Sequence, residues 1–300
     1  MTIKPPRLRT GDTIGLIAPC IGLKPDYIEK SAKELKKMGF QLKLSRHLFS
    51  ESWGFSGSVE ERVADLQEMV ADPQVKMILF GGGEVCNQLL PYLDYDAITA
   101  NPKIFCSYSD STTLLNAIHC HTGLVTFYGA SLRTFQNLSR YNWQSFVHRL
   151  MTTDCRYQKS APWRTLWPGR CEGELAGGYL VNFAALQGLP WYPAPPEGCL
   201  LFLEDLKEFS TPAVVSKWMA NLEHRGVLER ASGLIFGHYA DSPEPWIDEI
   251  LCRIGQRWQI PVVQCEDYGH GLHNAILPIG IRARLDTEAD SFELLESGVQ

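Results

Sequence analysis

The first half of the chain alternates short apolar runs with segments whose hydrophobic residues recur every three to four positions. Thr13 to Ala18 and Val75 to Phe80 are runs typical of buried strands, and Tyr27 to Met38 has the spacing of an amphipathic helix. Ser58-Val-Glu-Glu61 has the form of a capping box and predicts the start of another helix. Alternation of this kind predicts an α/β fold, a parallel sheet with helices on both faces.

The alternation lapses between Met151 and Gly173, where prolines, tryptophans and a glycine follow one another without periodicity. We therefore expect a domain junction there, with an N-terminal α/β domain over residues 1–160 and a smaller C-terminal α/β domain over residues 170–300. The expected elements of the second domain are strands at 200–203, 233–236 and 261–265, helices at 212–222 and 246–258, and short strands within 276–295.

Composition narrows the class of protein. A formal net charge of -6 over 300 residues, without a basic stripe, argues against a nucleic-acid partner. The chain starts without the apolar core of a signal peptide, and its apolar runs are shorter than the ~20 residues that span a bilayer. Nine cysteines without a Cys-x-x-Cys pair are typical of reduced thiols. We expect a cytoplasmic protein with no membrane partner, no metal and no cofactor.

The segment from Lys103 to Ile118 carries the most informative pattern. An apolar run ends just before Ser109, and a helical pattern follows, so that the serine lies where a strand turns into a helix. This is the geometry of a nucleophile elbow, with the small residues Ser107 and Ser111 two positions away on each side. The alternative is that Asp110 is a helix cap and Ser109 a solvated turn residue.

A nucleophilic serine requires a general base, and three histidines are candidates. His270 follows the expected strand at 261–265 and is flanked by glycines, which let backbone and ligand approach closely. Strand carboxyl ends are where α/β proteins build their sites, so His270 is the first candidate. His238 follows another apolar strand, and His273 lies three residues beyond His270.

Glu204 is the candidate for the acid that orients the base. It ends a buried apolar strand, where a carboxylate must be paired or be costly. The structural alternative is an ion pair with Lys207 or a charge at a helix start. Ser109, Glu204 and His270 follow in the nucleophile, acid, base order of α/β-hydrolases, although a triad is recognised by geometry rather than by order.

Gly81-Gly82-Gly83 lies between an apolar run and a helical pattern. Such a turn aims backbone N–H groups at a phosphate or an oxyanion, although a merely flexible turn has the same composition. The spacing differs from G-x-G-x-x-G and from the P-loop, and metal-ligand spacings such as H-E-x-x-H are absent.

Several motifs in shared order resemble the LD-carboxypeptidase family of serine peptidases, which includes the microcin C self-immunity peptidases. The resemblance implies a Ser109, Glu204 and His270 triad, and an oxyanion hole from the backbone of Asp110 and of the glycines Gly82 and Gly83. It also implies a flavodoxin-like N-terminal domain, a smaller C-terminal α/β domain, a cytoplasmic location, independence of metals and a homodimer. The stretches that carry it are Phe55-Ser-Gly-Ser-Val-Glu-Glu-Arg62, Asn87-Gln-Leu-Leu-Pro-Tyr-Leu-Asp-Tyr-Asp96, Asn101-Pro-Lys-Ile-Phe-Cys-Ser-Tyr-Ser109, Gly173-Glu-Leu-Ala-Gly-Gly178, Leu203-Glu204-Asp and Gly269-His270 followed by Leu277-Pro-Ile-Gly280.

The chain departs from the family pattern at three places: Ser107 replaces a glycine, Tyr179 replaces an asparagine, and Gly83-Glu84 replaces Tyr-Gly. The segment from Phe55 to Arg62 resembles the microcin-immunity branch more closely. We expect a serine-type carboxypeptidase that acts on a murein tetrapeptide, as in peptidoglycan recycling, or on a peptidyl-nucleotide of the microcin C type. The alternative is a catalytically silent ligand-binding protein on the same fold.

Overall fold

The computed structural model describes residues 2–81, 83, 86–242 and 244–300. Its strands are β1 (Thr13–Ile17), β2 (Gln41–Leu44), β3 (Val75–Phe80), β4 (Ile104–Ser107), β5 (Thr126–Tyr128), β6 (Arg164–Trp167), β7 (Arg170–Tyr179), β8 (Cys199–Glu204), β9 (Ala231–Phe236), β10 (Val262–Gln264), β11 (Leu277–Ile279), β12 (Arg282–Asp286) and β13 (Ser291–Leu294). Its α-helices are α1 (Pro25–Lys37), α2 (Val59–Ala71), α3 (Tyr95–Ala100), α4 (Thr112–Thr122), α5 (Arg140–Phe146), α6 (Leu180–Leu186), α7 (Pro212–His224), α8 (Val227–Arg230) and α9 (Pro245–Trp258).

The first sheet has six strands in the order β2-β1-β3-β4-β5-β11. Its first five strands are parallel, as the sequence pattern predicts, and β11 pairs antiparallel with β5. The order of the five parallel strands is the flavodoxin-like one that the family resemblance implies. The strands are short apolar runs because both faces of the sheet are covered by helices. Parallel strands end at the same edge, so the loops that follow β3 and β4 meet there.

The second sheet has seven strands in the order β13-β12-β7-β8-β9-β10-β6. Its central strands β7 to β10 are parallel, whereas β12, β13 and β6 run antiparallel to their neighbours. The fold is thus mixed α/β with a second sheet domain, as predicted. The domain limits 1–160 and 170–300 stay a prediction. β6 lies in the interval between the two expected domains, and β11, which follows residue 170 in the chain, belongs to the first sheet.

Two apolar cores hold these layers. One core lies under α1 and α5 and includes Leu16, Leu35 and Phe146, all buried. The other is continuous from α2 and α4 of the first half to β8 and β9 of the second, and it includes Leu115 and Phe202. Because this second core joins both sheets, the loops at their facing edges are held in a fixed relation.

The capping box at Ser58 is confirmed: its hydroxyl accepts the Glu61 N–H at 3.2 Å, and the Glu61 carboxylate accepts the Ser58 N–H at 2.8 Å. The stretch between Met151 and Gly173, which lacks periodicity in the sequence, contains β6 and the start of β7. These strands are partly exposed, with polar residues on both faces, so they lack the apolar runs that mark a buried strand.

The helix expected from 85 to 90 begins outside the described residues, and the structure has a 3₁₀ helix at Asn87–Tyr92. Among the described residues, every helix is too short or too polar to cross a lipid bilayer.

Candidate active site

Ser109 lies in the turn between β4 and α4. Its φ is +63°, a left-handed conformation that non-glycine residues rarely adopt. Such backbone strain persists where the surrounding structure fixes it, and it is common at functional sites. The turn is a single 3₁₀ segment, Ser109–Ser111, and the Thr112 hydroxyl donates to the Ser109 carbonyl at 2.6 Å. The structure therefore has the strained strand-to-helix turn that the sequence predicts.

The alternative role for Asp110, a helix cap, is not the one the structure shows. Its carboxylate accepts the backbone N–H of Cys86 at 2.7 Å and the Cys20 thiol at 3.2 Å, and it also accepts from the amide of Asn182. These partners come from the segments after β1 and β3 and from α6 in the second half. Asp110 therefore fastens the elbow to three other segments.

The three residues of the predicted triad lie in one hydrogen-bonded chain. His270 Nε2 lies 2.8 Å from the Ser109 hydroxyl, and His270 Nδ1 lies 2.9 Å from Glu204 Oε2. The side chain of His270 is 6% exposed and that of Glu204 is fully buried. The structure thus brings a hydroxyl, an imidazole and a carboxylate together from the turn after β4, the 269–273 loop and β8, with the spacing of a nucleophile, a base and its orienting acid.

Glu204 is paired inside the site rather than with Lys207, which binds Glu244 instead. Its second oxygen, Oε1, accepts the hydroxyl of Tyr128 at 2.5 Å. The same Tyr128 hydroxyl accepts the backbone N–H of Ser109 at 3.1 Å. Tyr128 therefore connects Glu204 to the turn that carries Ser109. Sequence analysis missed this residue, because nothing in the short strand β5 distinguishes Tyr128 from the neighbouring aromatic residue Phe127.

Two opposing effects act on the base. Burial acts to lower the pKa of His270, but the negative charge of Glu204 and its hydrogen bond outweigh burial, so the pKa is raised above 6.5. Burial and the neighbouring Glu204 charge together hold the pKa of Tyr128 well above its usual range, so that its hydroxyl stays a donor to the carboxylate.

Gly269 explains how the base loop comes so close to the acid. Its φ is +106°, and a Cβ built there would lie 2.9 Å from Glu204 Oε2 and 3.1 Å from Glu204 Cβ. A side chain at this position would displace the carboxylate. Asn274 fixes the loop by donating to the Gly269 carbonyl at 2.9 Å. The glycine before His270 is therefore required for the close approach that the sequence suggests.

The oxyanion-hole residues are only partly described. Gly83 has φ +146° and is partly exposed, next to Ile21 and Cys20. Gly82 lies outside the described residues. The backbone of Asp110 follows Ser109 directly, so the assignment of Asp110, Gly82 and Gly83 to an oxyanion hole stays a prediction.

Each half of the chain carries a family match. Residues 14–129 match the model of the LD-carboxypeptidase N-terminal domain, and residues 172–285 match that of the LD-carboxypeptidase C-terminal domain. The chain belongs to the LD-carboxypeptidase family. Both members of the proposed acid and nucleophile pair, Glu204 and Ser109, lie inside the matched regions.

Relatives of known name extend over the whole chain. The chain is 31% identical to a probable murein peptide carboxypeptidase of Bacillus subtilis, over 100% of this chain and 96% of that protein. It is 28% identical to the microcin C7 self-immunity protein MccF of Escherichia coli, over 96% and 94% of the two chains. A solved structure of MccF with aspartyl sulfamoyl adenosine matches with a TM-score of 0.90 and 27% identity, over 99% of this chain and 100% of that one.

In this LD-carboxypeptidase, three aromatic rings surround the base. The ring centroids of Tyr108, Tyr179 and Phe209 lie 5.2, 5.1 and 6.5 Å from that of His270. Phe209 is 66% exposed, so it forms a rim that a ligand can contact. Tyr179, one of the departures from the family pattern, therefore lies beside His270. Ser107, another departure, is fully buried beneath the elbow.

The other two histidine candidates, His238 and His273, have partners other than Ser109 and Glu204. His238 pairs through Nδ1 with Glu266 and lines a cavity of about 520 Å³ whose wall also includes Arg164 and Asp241. The ring of His273 packs on Tyr141, with 4.6 Å between centroids. His270 is the one of the three candidates that holds the Ser109 hydroxyl.

Asp205 is a buried acid that sequence analysis missed. It follows Glu204 and is fully buried, and burial raises its pKa to about 7. Its Oδ1 accepts the Leu206 N–H at 2.8 Å, whereas Oδ2 lacks a hydrogen-bond partner in the part of the chain that the structure describes. The Ser210 hydroxyl is nonetheless close enough to lower the pKa of Asp205. Asp205 is in turn close enough to Tyr179 to raise the pKa of that tyrosine.

Proposed function

We propose that this protein is a serine-type carboxypeptidase that hydrolyses a short peptide or a peptide-like amide. The observation that carries the proposal is the hydrogen-bonded chain from the Ser109 hydroxyl through His270 to the buried Glu204. Family membership supports the reaction class, since LD-carboxypeptidases are serine peptidases. The strained φ of Ser109 supports its role as the nucleophile.

The geometry supports a two-step acyl transfer. Ser109 Oγ attacks the scissile carbonyl while His270 Nε2 takes its proton, and His270 then gives that proton to the leaving amine. Glu204 holds the imidazole in the tautomer that accepts at Nε2 and stabilises the imidazolium. The backbone N–H groups of Asp110 and of Gly82 or Gly83 stabilise the oxyanion. Water activated by His270 then hydrolyses the acyl-enzyme.

Two substrate classes have support. The murein peptide carboxypeptidase relative supports a murein tetrapeptide that loses its terminal D-alanine. The solved MccF complexes with glutamyl and aspartyl sulfamoyl nucleosides support a peptidyl- or aminoacyl-nucleotide. Parallel turnover measurements on a murein tetrapeptide and on an aminoacyl sulfamoyl nucleoside analogue of microcin C decide between them. The larger kcat/KM identifies the substrate class.

A fluorophosphonate probe tests the serine mechanism. We expect one label per chain on Ser109, and we expect Ser109→Ala to abolish both labelling and turnover with little loss of stability, since the residue fills no core. Ser111→Ala is the matched control: its hydroxyl lies two residues away, is buried and makes no hydrogen bond with the described residues, so turnover should persist. Near-wild-type turnover in Ser109→Ala would refute the mechanism. Ligand binding without labelling would support the silent ligand-binding alternative.

The compartment, the oligomer and the independence of metals are further parts of the proposal. The nine cysteines are free thiols in the structure, which suits a reducing compartment such as the cytoplasm. The homodimer rests on the family resemblance, and light scattering coupled to size exclusion tests it. Turnover should survive treatment with EDTA. Activity lost on chelation and restored by zinc would mean that the serine mechanism is wrong.

A further inference from the structure

Two cysteines and an aspartate converge beside Gly83 and the turn that carries Ser109. One ligand-capable atom from each of Cys20, Cys86 and Asp110 lies within 4.8 Å of the others, and all three residues are buried. We propose that these three residues form a binding site for one thiophilic divalent cation of the Zn²⁺ and Cd²⁺ class, and that its occupancy inhibits the enzyme. The three residues come from the segments that follow β1, β3 and β4, so the fold itself assembles the site.

The separations suit a tetrahedral ion. Zinc binds thiolate sulfur at about 2.3 Å and carboxylate oxygen at about 2.0–2.2 Å, so tetrahedral ligand atoms lie about 3.5–3.8 Å apart. Cys20 Sγ now lies 3.2 Å from Asp110 Oδ2. Small side-chain movements therefore place the two sulfurs and the oxygen around an ion, with water in the fourth position. Two thiolates and a carboxylate bind an ion of the Zn²⁺ and Cd²⁺ class in preference to magnesium or calcium.

The charges also balance. Binding the ion releases the two thiol protons, so two thiolates, one carboxylate and one divalent cation leave one net negative charge, without any redox change. Arg62 lies beside the two thiols, and a positive charge there is favourable for a site of this sign: it is buried, and its guanidinium donates to the Pro19 carbonyl at 2.9 Å. Burial lowers the pKa of Arg62, while the charges of Cys20 and Cys86, when ionised, act to raise it.

The site lies close to the surface despite its burial. Gly83 is partly exposed, and a Cβ built on it would lie 3.0 Å from Cys20 Cβ. Ile21, the next residue after Cys20, is 40% exposed. An ion therefore has to pass one thin layer of chain to reach the sulfurs.

Occupancy changes the elbow because Asp110 has two uses. Its Oδ2 atom now accepts the Cys86 N–H at 2.7 Å and the Cys20 thiol. As a metal ligand this oxygen gives up at least the thiol contact and draws the residue after Ser109 towards the ion. The inhibition rests on the proposed function, because it acts through the Asp110 and Gly83 backbone, whereas the binding does not.

Cadmium titration of the reduced, metal-free protein tests the binding. We expect one Cd²⁺ per chain by equilibrium dialysis, with an ultraviolet thiolate-to-cadmium charge-transfer band. Cys20→Ser and Cys86→Ser should each weaken binding at least about 100-fold, beyond the 10–100-fold that loss of an outer-shell partner costs. Cys106→Ser is the matched control, since that thiol is also buried but donates to the Ala130 carbonyl. Circular dichroism verifies the fold, and two serine variants are used so that one poorly folded protein does not decide the test.

Turnover measurements test the inhibition separately. We expect Zn²⁺ to reduce turnover of the wild type and EDTA to restore it. Cys20→Ser should resist the metal, its turnover with Zn²⁺ being compared with its own metal-free turnover. A charge-transfer band that is absent, or that persists in both serine variants, overturns the site. One bound cadmium without loss of turnover overturns the inhibition alone. If the metal-free wild type hydrolyses nothing, the proposed function fails and the cadmium spectrum still decides the site.

Discussion

Replacing Tyr128 with phenylalanine probes the contact that joins the acid to the elbow. The ring stays and the hydroxyl is lost, so the buried packing against Phe202 is preserved. The loss leaves Glu204 Oε1 without its 2.5 Å donor and the Ser109 N–H without its 3.1 Å acceptor. Both orphaned groups belong to the candidate catalytic chain, and Glu204 is fully buried.

The magnitude follows from these two contacts. A hydrogen bond to a charged group contributes about 1.5–3 kcal/mol, and a buried group left unsatisfied costs about 1–3 kcal/mol. We therefore expect Tyr128→Phe to lower the free energy of unfolding by about 2–4 kcal/mol. His270 still holds the other Glu204 oxygen, so kcat/KM should fall by about 10–100-fold, or about 1.4–2.7 kcal/mol. That loss is smaller than the ~10⁴-fold known for removal of a triad acid.

Urea unfolding and steady-state kinetics measure the two effects. Tyr239→Phe is the matched control, because that tyrosine is equally buried and its hydroxyl donates at 2.6 Å to a neutral carbonyl, that of Ser210. The control should lose about 1 kcal/mol of stability and little turnover. If Tyr128→Phe keeps wild-type kcat/KM, or if both variants lose turnover equally, the tyrosine does not support the acid.

Three further predictions concern the acid, the base and Asp205. Glu204→Gln and His270→Ala should each reduce turnover by ~10³-fold or more, and the double variant should be strongly non-additive in a kinetic cycle. Glu208→Gln and His273→Ala are the controls and should do much less. The acid limb of kcat/KM should have its midpoint above pH 6.5, because the base must be neutral and its pKa is raised. In Glu204→Gln the pH–rate profile should show this midpoint at lower pH; an unmoved limb would contradict the pairing. Asp205→Asn should be more stable than the wild type at pH 8, by at most about 4 kcal/mol. This figure is the rise in the pKa of Asp205, from 3.8 to about 7, multiplied by about 1.36 kcal/mol per pKa unit. A raised carboxyl pKa makes the wild type lose stability as pH rises from about 4 to 7, so equal urea midpoints at pH 8 would refute this.

The buried strands and the residues at their ends were predictable for one physical reason. β1, β3 and β8 are covered on both faces, so they appear as apolar runs in the sequence. A carboxylate or a small polar residue directly after such a run then stands out, as Glu204 and Ser109 do. β6 escaped notice because it is an edge strand with polar residues, and its pairing with β10 depends on residues about 100 positions away.

The contacts that sequence analysis missed are those that depend on which strands become neighbours. Tyr128 reaches Glu204, 76 residues away, because β5 lies next to β4 while β8 faces both from the second sheet. Cys20 and Cys86 meet Asp110 for the same reason, since β1, β3 and β4 are adjacent only in space. Hydrophobic periodicity carries no information about such pairings.

The pairing of β11 with β5 also fixes when the first sheet is completed during synthesis. β5 ends at Tyr128, and its partner begins at Leu277, 149 residues later (277 minus 128). At translation rates of about 5–20 residues per second, the edge of β5 stays open for roughly 7–30 seconds after it emerges. His270 is synthesised at the end of that interval. The nascent first half therefore carries the proposed nucleophile without its proposed base, and closing the sheet and assembling the candidate triad become one late event.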